Sequence, residues 1–208
     1  MPDLQEAVDA AQEWPAEHVA AAVIGADGTV LAGSGDQDRT FQLASVTKLL
    51  TAYAVLIAVE EGAVEWDTPA GPDGSTVRHL IAHTSGLAFD TDRVMGAPGT
   101  RRVYSNTGFE VLGQTVADAA GMPFEYYLRD AVCVPLEMSA TTLSGSPAAD
   151  GVSTAADLAT WGAFLADPAA QPDHGHQRAA EAARGGARAD RPGGAVAGCR
   201  RERADATW

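Results

Sequence analysis

The chain has 208 residues, of which 46% are hydrophobic, and its formal net charge is −14 at pH 7. This length supports one sizeable domain, and the negative charge disfavours nucleic acid and anionic lipid as partners. Two cysteines are too few for a disulfide framework. The acidic N-terminus is unlike a secretory signal, and no apolar run is long enough for a membrane span. The sequence therefore predicts a cytoplasmic protein and leaves its oligomeric state open.

The first part of the chain is predicted to contain a helix and a β-hairpin. Residues 3–14 have the pattern of a short amphipathic helix. Residues 18–24 and 29–32 predict two strands, which an Asp-Gly pair joins in a strong hairpin signal. Residues 33–35 are interpreted as a loop. Two strands alone are marginal in water, so partner strands must come from elsewhere in the chain or be missing.

Ser45 precedes Lys48, the only lysine in the chain, by three positions. If Ser45 begins a helix, the two side chains share one face, and the lysine leans back toward the hydroxyl. A lysine that is partly desolvated in a cleft can act as the base that activates a serine nucleophile. The competing interpretation is a surface lysine on an ordinary helix, because the S-x-x-K pattern is short.

The helix predicted over residues 46–59 is apolar on every face, which predicts that it is buried. A lone lysine at the mouth of a buried helix rarely serves solubility. The sequence therefore favours the catalytic interpretation, with Ser45 as nucleophile and Lys48 as its base.

Further helices are predicted downstream, over residues 75–83, 107–120, 123–133 and 153–166. Asn106 is a natural N-cap for the second of these, and this structural role competes evenly with a role in an active site. For His83 a role as general base is the weaker interpretation, because a histidine at a helix end more often orders a turn. Tyr104 on its own predicts a half-buried aromatic.

The chain changes character after residue 166. Residues 167–208 are rich in alanine, arginine and glycine, and in their second part Val196 and Trp208 are almost the only large apolar side chains. Such a segment buries too little apolar area to offset the entropy of ordering, so we predict disorder. His174 and His176 lack further ligands nearby in the sequence, so no metal site is predicted there.

Four stretches taken together resemble one family, the serine β-lactamases and penicillin-binding proteins. The resemblance is closest to the branch of class C β-lactamases, D-alanyl-D-alanine carboxypeptidases and esterases. The stretches are 41–48 (FQLASVTK), 76–87 (TVRHLIAHTSGL), 98–108 (PGTRRVYSNTG) and 151–158 (GVSTAADL). Each is weak alone, but their order is specific to the family.

The resemblance implies an α+β fold, in which a helical region packs on an antiparallel sheet. It implies a serine hydrolase that forms an acyl-serine intermediate on an ester or amide, with a small-molecule ester, peptide or β-lactam as substrate. Ser45 would be the nucleophile, Lys48 and Tyr104 the acid/base pair, and Asn106 a substrate-binding and orienting amide. No metal and no cofactor are implied.

The sequence also departs from the family pattern. Members carry a third motif, Lys or His followed one residue later by Gly, on a C-terminal strand beside the cleft, and neither motif nor strands are readable here. We therefore expect an incomplete hydrolase domain over residues 1–166 and an atypical tail over 167–208, as a truncation or frameshift would produce. The alternative function is a catalytically inactive family member that binds a ligand.

Overall fold

The structure is a computed structural model, and it describes residues 3–166. The predictions of a disordered tail and of no metal site at His174 and His176 lie outside the described residues. The helices are α1 (Leu4–Asp9), α2 (Thr47–Glu60), α3 (Val77–Ile81), α4 (Asn106–Ala120), α5 (Phe124–Leu128) and α6 (Ala155–Ala166). The strands are β1 (Ala20–Ile24), β2 (Val30–Gly35), β3 (Thr40–Gln42), β4 (Thr142–Leu143) and β5 (Gly151–Thr154). Three short turns of helix, Ala10–Glu13, Ala44–Val46 and Arg129–Cys133, extend α1, precede α2 and follow α5.

The predicted hairpin is confirmed, since β1 and β2 pair antiparallel around a turn at residues 25–29. Asp27 accepts hydrogen bonds from the Thr29 N–H at 3.1 Å and from its hydroxyl at 2.7 Å, which fixes the turn. The loop predicted at 33–35 is wrong, because these residues continue β2 and pair with residues 20–22. Backbone pairing requires no side chain, so glycine and serine here do not end the strand.

A second sheet has the order β3-β5-β4, with both pairs antiparallel. The helix predicted from residue 153 is therefore wrong at its start: residues 151–154 form the central strand, and α6 begins at Ala155. The alternation of Val152 and Thr154 with small residues suits a strand that is paired on both edges. This sheet matters for the site because β3 leads directly into the turn that contains Ser45.

The core is centred on α2, which packs against α4 and α5. Leu50, Val55 and Ile57 of α2 are almost completely buried, and each contributes about 2 kcal/mol through apolar area removed from water. The prediction that this helix is buried all round is wrong for one stripe. Leu49 is 55% exposed and Leu56 is 43% exposed. Their spacing places them on the side of α2 opposite the main core.

The observed architecture is thus α+β, with helices packed together and two small antiparallel sheets at their margins. Between residues 3 and 166, none of the helices combines the length and the apolar composition that crossing a bilayer requires.

Candidate active site

Ser45 lies in the turn Ala44–Val46, just before the regular helix α2 begins at Thr47. Ala44 has a left-handed backbone conformation (φ 45°), which is unusual for a residue with a side chain. Two hydrogen bonds join this turn to β5: the Leu43 N–H donates to the Gly151 carbonyl at 2.8 Å, and the Gly151 N–H donates to the Thr47 hydroxyl at 3.0 Å. The sheet therefore determines where the serine stands.

Lys48 is 4% exposed, and its Nζ contacts three oxygens. These are the hydroxyl of Ser45 at 3.3 Å, Oδ1 of Asn106 at 2.5 Å and the carbonyl of Ala148 at 2.8 Å. The last two can only accept, so they take two N–H donors whether the lysine is an ammonium or a neutral amine. In the neutral form the remaining lone pair is left for the Ser45 hydroxyl proton. This arrangement suits a base for Ser45.

Tyr104 stands over the same lysine, with Nζ 4.8 Å from the centre of its ring. Burial acts to raise the pKa of the phenol. Hydrogen bonding with Ser45 and Lys48, together with the positive charges of Lys48 and Arg102, outweighs burial, and the net pKa lies below its ordinary value of 10. The phenol of Tyr104 therefore gives up its proton more easily than a free tyrosine does, because positive charge lies beside it.

Asn106 is the first residue of α4, and the N-cap is Ser105. The prediction of Asn106 as N-cap is therefore wrong. Ser105 has an extended backbone, and its hydroxyl accepts from the Gly108 N–H at 2.9 Å, which is the N-cap geometry. The Asn106 amide is left for the site: Oδ1 accepts from Lys48, and Nδ2 donates to Asp90 at 2.6 Å.

Three partners of the site were not predicted as such. Asp90 orients the Asn106 amide, and the Ala148 carbonyl binds Lys48. His83 is buried, and its ring lies 4.5 Å from the Tyr104 ring, centre to centre. For His83 the sequence offered a signal, its place in the His-Thr-Ser-Gly-Leu turn. A main-chain carbonyl such as that of Ala148 carries none.

The structure thus brings Ser45, Tyr104 and Asn106 together around Nζ of Lys48. Ser45 comes from the turn before α2, Lys48 from the first turn of α2, Tyr104 from the segment before α4, and Asn106 is the first residue of α4. In the part of the chain that the structure describes, no group of three or more His, Cys, Asp or Glu side chains is arranged to hold a metal ion.

Comparison with known proteins shows which family the chain belongs to. The family model described as Beta-lactamase matches residues 7–200. The chain belongs to the β-lactamase family. The match extends past residue 166, and the division of the chain at that residue stays a prediction. The chain is also similar to the solved structure of a β-lactamase from Mycobacterium bovis. That protein is 51% identical in sequence, the match covers 80% of this chain, and the two superpose with a TM-score of 0.74.

Two curated relatives show how broad the β-lactamase family is. The D-alanyl-D-alanine-carboxypeptidase/endopeptidase AmpH of Escherichia coli is 26% identical over 147 residues, which are 53% of this chain and 38% of AmpH. The esterase EstB of Burkholderia gladioli is 31% identical over 149 residues, or 49% of this chain and 38% of EstB. Both names are those of hydrolytic enzymes. The chain spans less than two fifths of the length of either relative, and 62% of the Mycobacterium bovis protein.

Proposed function

We infer that this chain is a serine hydrolase that forms an acyl-serine at Ser45. The observation that carries this inference is the hydrogen bond between Lys48 Nζ and the Ser45 hydroxyl, in a site where the other two partners of the lysine can only accept. Asn106 and Ala148 each accept from one N–H of Lys48, so in the neutral amine the lone pair is left for the hydroxyls of Ser45 and Tyr104. The serine proton therefore has a place to go.

The reaction proceeds in two halves. In the first, Ser45 Oγ attacks the carbonyl carbon of an ester or amide, its proton passes to the Lys48–Tyr104 pair, and the pair returns a proton to the departing alcohol or amine. In the second half, water attacks the acyl carbon and gives a proton to the Lys48–Tyr104 pair; the bond from the acyl carbon to Ser45 Oγ then breaks, the pair returns a proton to Oγ, and the carboxylic acid is released. Asn106 holds Lys48 in place and contributes its amide to substrate binding.

The substrate class is a small carboxylic ester, a D-alanyl peptide or a β-lactam. The names of the relatives support this range, since AmpH is named a carboxypeptidase/endopeptidase, EstB an esterase and the Mycobacterium bovis protein a β-lactamase. All three substrates present a carbonyl with a leaving group, which is what an activated serine needs. A cytoplasmic location and the absence of nucleic-acid partners stay predictions.

Intact-mass spectrometry of the full chain tests the proposal. Incubation with a fluorescent penicillin or with p-nitrophenyl acetate should add the mass of one acyl group, and the two probes distinguish β-lactam from ester preference. Ser45→Ala should abolish the addition. Ser139→Ala, which changes an exposed serine outside the site, should leave it unchanged. An adduct that persists in Ser45→Ala would assign the nucleophile elsewhere and refute the proposal.

A ligand-binding family member without turnover is the second candidate, because the third family motif is not readable in the sequence. Losing one oxyanion-hole donor lowers the rate by about 10²–10³. A folded chain that binds the fluorescent penicillin reversibly, as seen by fluorescence anisotropy, and never gains mass would establish this alternative.

A further inference from the structure

His83 lies directly behind the tyrosine of the site. Its side chain is buried, and its ring packs between two aromatic rings, 4.5 Å from Tyr104 and 4.9 Å from Phe109, centre to centre. The backbone of His83 is in the left-handed region, with φ 59°. A left-handed conformation is uncommon for a residue other than glycine, although histidine adopts it more often than most residues.

The same residue also holds the main chain on both sides of Tyr104. Its Nδ1 accepts from the Ser105 N–H at 3.2 Å, and its carbonyl accepts from the Val103 N–H at 2.8 Å. Three contacts from His83 thus define the position of Tyr104. Two of them hold the backbone N–H groups of Val103 and Ser105, and the third is the contact between the His83 and Tyr104 rings. The tyrosine needs this support because its side chain is 41% exposed.

The acceptor role requires a neutral imidazole. Nδ1 faces an N–H donor, so in the neutral ring the proton is on Nε2, and protonation of Nδ1 would place two donors against each other. Burial, and then the positive charges of Arg102 and Lys48, lower the pKa of His83 to about 4. The ring is therefore neutral over the range in which the site would work.

We propose that His83 is a positioning residue for the acyl-transfer site: its imidazole supports the Tyr104 ring and anchors the Ser105 amide, which keeps Tyr104 and Asn106 within reach of Lys48. Asn106 follows Ser105 directly and opens α4, so the anchor acts on both residues. The role of His83 in catalysis rests on the proposed function, whereas its effect on the Tyr104 phenol does not.

Two substitutions separate the two contacts. His83→Asn places a carbonyl oxygen where Nδ1 stood and tolerates the left-handed backbone, but removes the ring. His83→Phe keeps a ring and removes the acceptor. His79→Asn is the matched control, because His79 lies on α3, four residues before His83, and its Nδ1 contacts the Thr76 hydroxyl instead of the site.

The first measurement is the pre-steady-state burst of p-nitrophenol from p-nitrophenyl acetate with the full chain. We expect the maximal burst rate to fall at least tenfold in both His83 variants, while the half-saturating ester concentration stays within about threefold, since Tyr104 acts in proton transfer. His79→Asn should behave like the unsubstituted protein. Folded His83 variants with the unchanged burst rate would overturn the proposal.

The second measurement does not depend on activity. NMR titration of ¹³Cζ-labelled tyrosine, with the Tyr104 signal assigned by Tyr104→Phe, reports the phenol directly. In the unsubstituted protein it should titrate below its ordinary value, and in the His83 variants the titration should move upward as the phenol leaves Ser45 and Lys48. An unshifted Tyr104 titration in both variants refutes the positioning role. A chain that is never acylated refutes the proposed function alone.

Discussion

At Asn106 the direction of the side-chain amide is decided by its two partners. Nδ2 faces the carboxylate of Asp90, and Oδ1 faces the amine of Lys48. The reversed amide would place a donor against the lysine and an acceptor against the carboxylate, so both hydrogen bonds would be lost. Asp90 therefore acts on the lysine through Asn106. It ensures that the lysine always meets an acceptor at that position.

His83 makes the stability of the protein depend on pH. Its pKa is about 4 in the folded state against 6.5 for the free side chain, because of burial and the charges of Arg102 and Lys48. The unfolded chain thus binds this proton more tightly. The contribution of His83 to the free energy of unfolding is complete above pH 6.5 and is lost as the pH falls toward 4. We predict a loss of up to about 3 kcal/mol from this group.

Urea denaturation of the unsubstituted protein and of His83→Asn, in steps from pH 7.5 to 4, measures this loss. The carboxylates titrate in both proteins, so the difference between the two free energies of unfolding isolates His83. That difference should decrease steadily below pH 6.5. A difference that does not change with pH would mean that His83 has the same pKa in the folded and the unfolded chain.

Contacts between residues of the site could be predicted from the sequence only where the two residues are close together in the chain. The pairing of Ser45 with Lys48 spans three residues and could be derived from helix geometry alone. The specific roles predicted for Tyr104 and Asn106 rested on the resemblance, because Lys48 and Asn106 are 58 positions apart and local geometry does not connect them. The Ala148 carbonyl, 100 positions from Lys48, has no side-chain signal at all. Local periodicity does not encode contacts of this length.

For helix α2, the sequence predicted the helix but not its orientation in the fold. Its existence and length were predictable from its apolar run, but which side faces the core was not. Apolar residues occur all around it, so the pattern does not distinguish the stripe of Val46, Leu49 and Leu56, which is exposed, from buried positions such as Leu50. The contacts of α2 with α4 and α5 decide the orientation, and they depend on the tertiary fold.

The junction of β5 with the start of α2 should tolerate no side chain at Gly151. A Cβ at that position would lie 2.7 Å from the Thr47 hydroxyl oxygen and 3.1 Å from its methyl group. We predict that Gly151→Ala lowers the free energy of unfolding by about 1–3 kcal/mol, as overpacking does elsewhere. It should also slow acylation of Ser45, because Thr47 belongs to the helix that begins directly after the serine turn.

Gly162→Ala is the control for this prediction. Gly162 lies in α6, and a Cβ there would be 3.5 Å from Ile24, an ordinary contact. Alanine is the better helix former, so this variant should be unchanged or up to about 1 kcal/mol more stable. Thermal unfolding and the mass-spectrometric acylation assay compare the two. Equal stability of both variants would show that the space between Gly151 and Thr47 accommodates a methyl group without cost.

The described part of the molecule has two layers of unequal burial. The main core is formed by α2, α3, α4, α5 and the segment around Met138, and its largest side chains are fully buried. The hairpin β1–β2 packs instead against α1 and α6, and every residue of β1 is only partly buried. Within residues 3–166 it has no third strand. The sequence indicated this shortage of strands, since it offered only two in this region.

Hydrogen exchange should separate these two layers. Amides of α2 and α4 open only when the core opens, whereas a two-stranded sheet with partly buried residues opens locally at lower free energy. We predict that exchange followed by mass spectrometry shows protection factors for α2 and α4 at least tenfold above those for β1 and β2.

Leu50→Ala, which empties a buried position, should lower the free energy of unfolding by about 2–5 kcal/mol and lower the protection of the core amides. Leu31→Ala, at an exposed hairpin position, should leave core protection unchanged. Equal protection of hairpin and core would instead show that the two layers unfold as one cooperative unit.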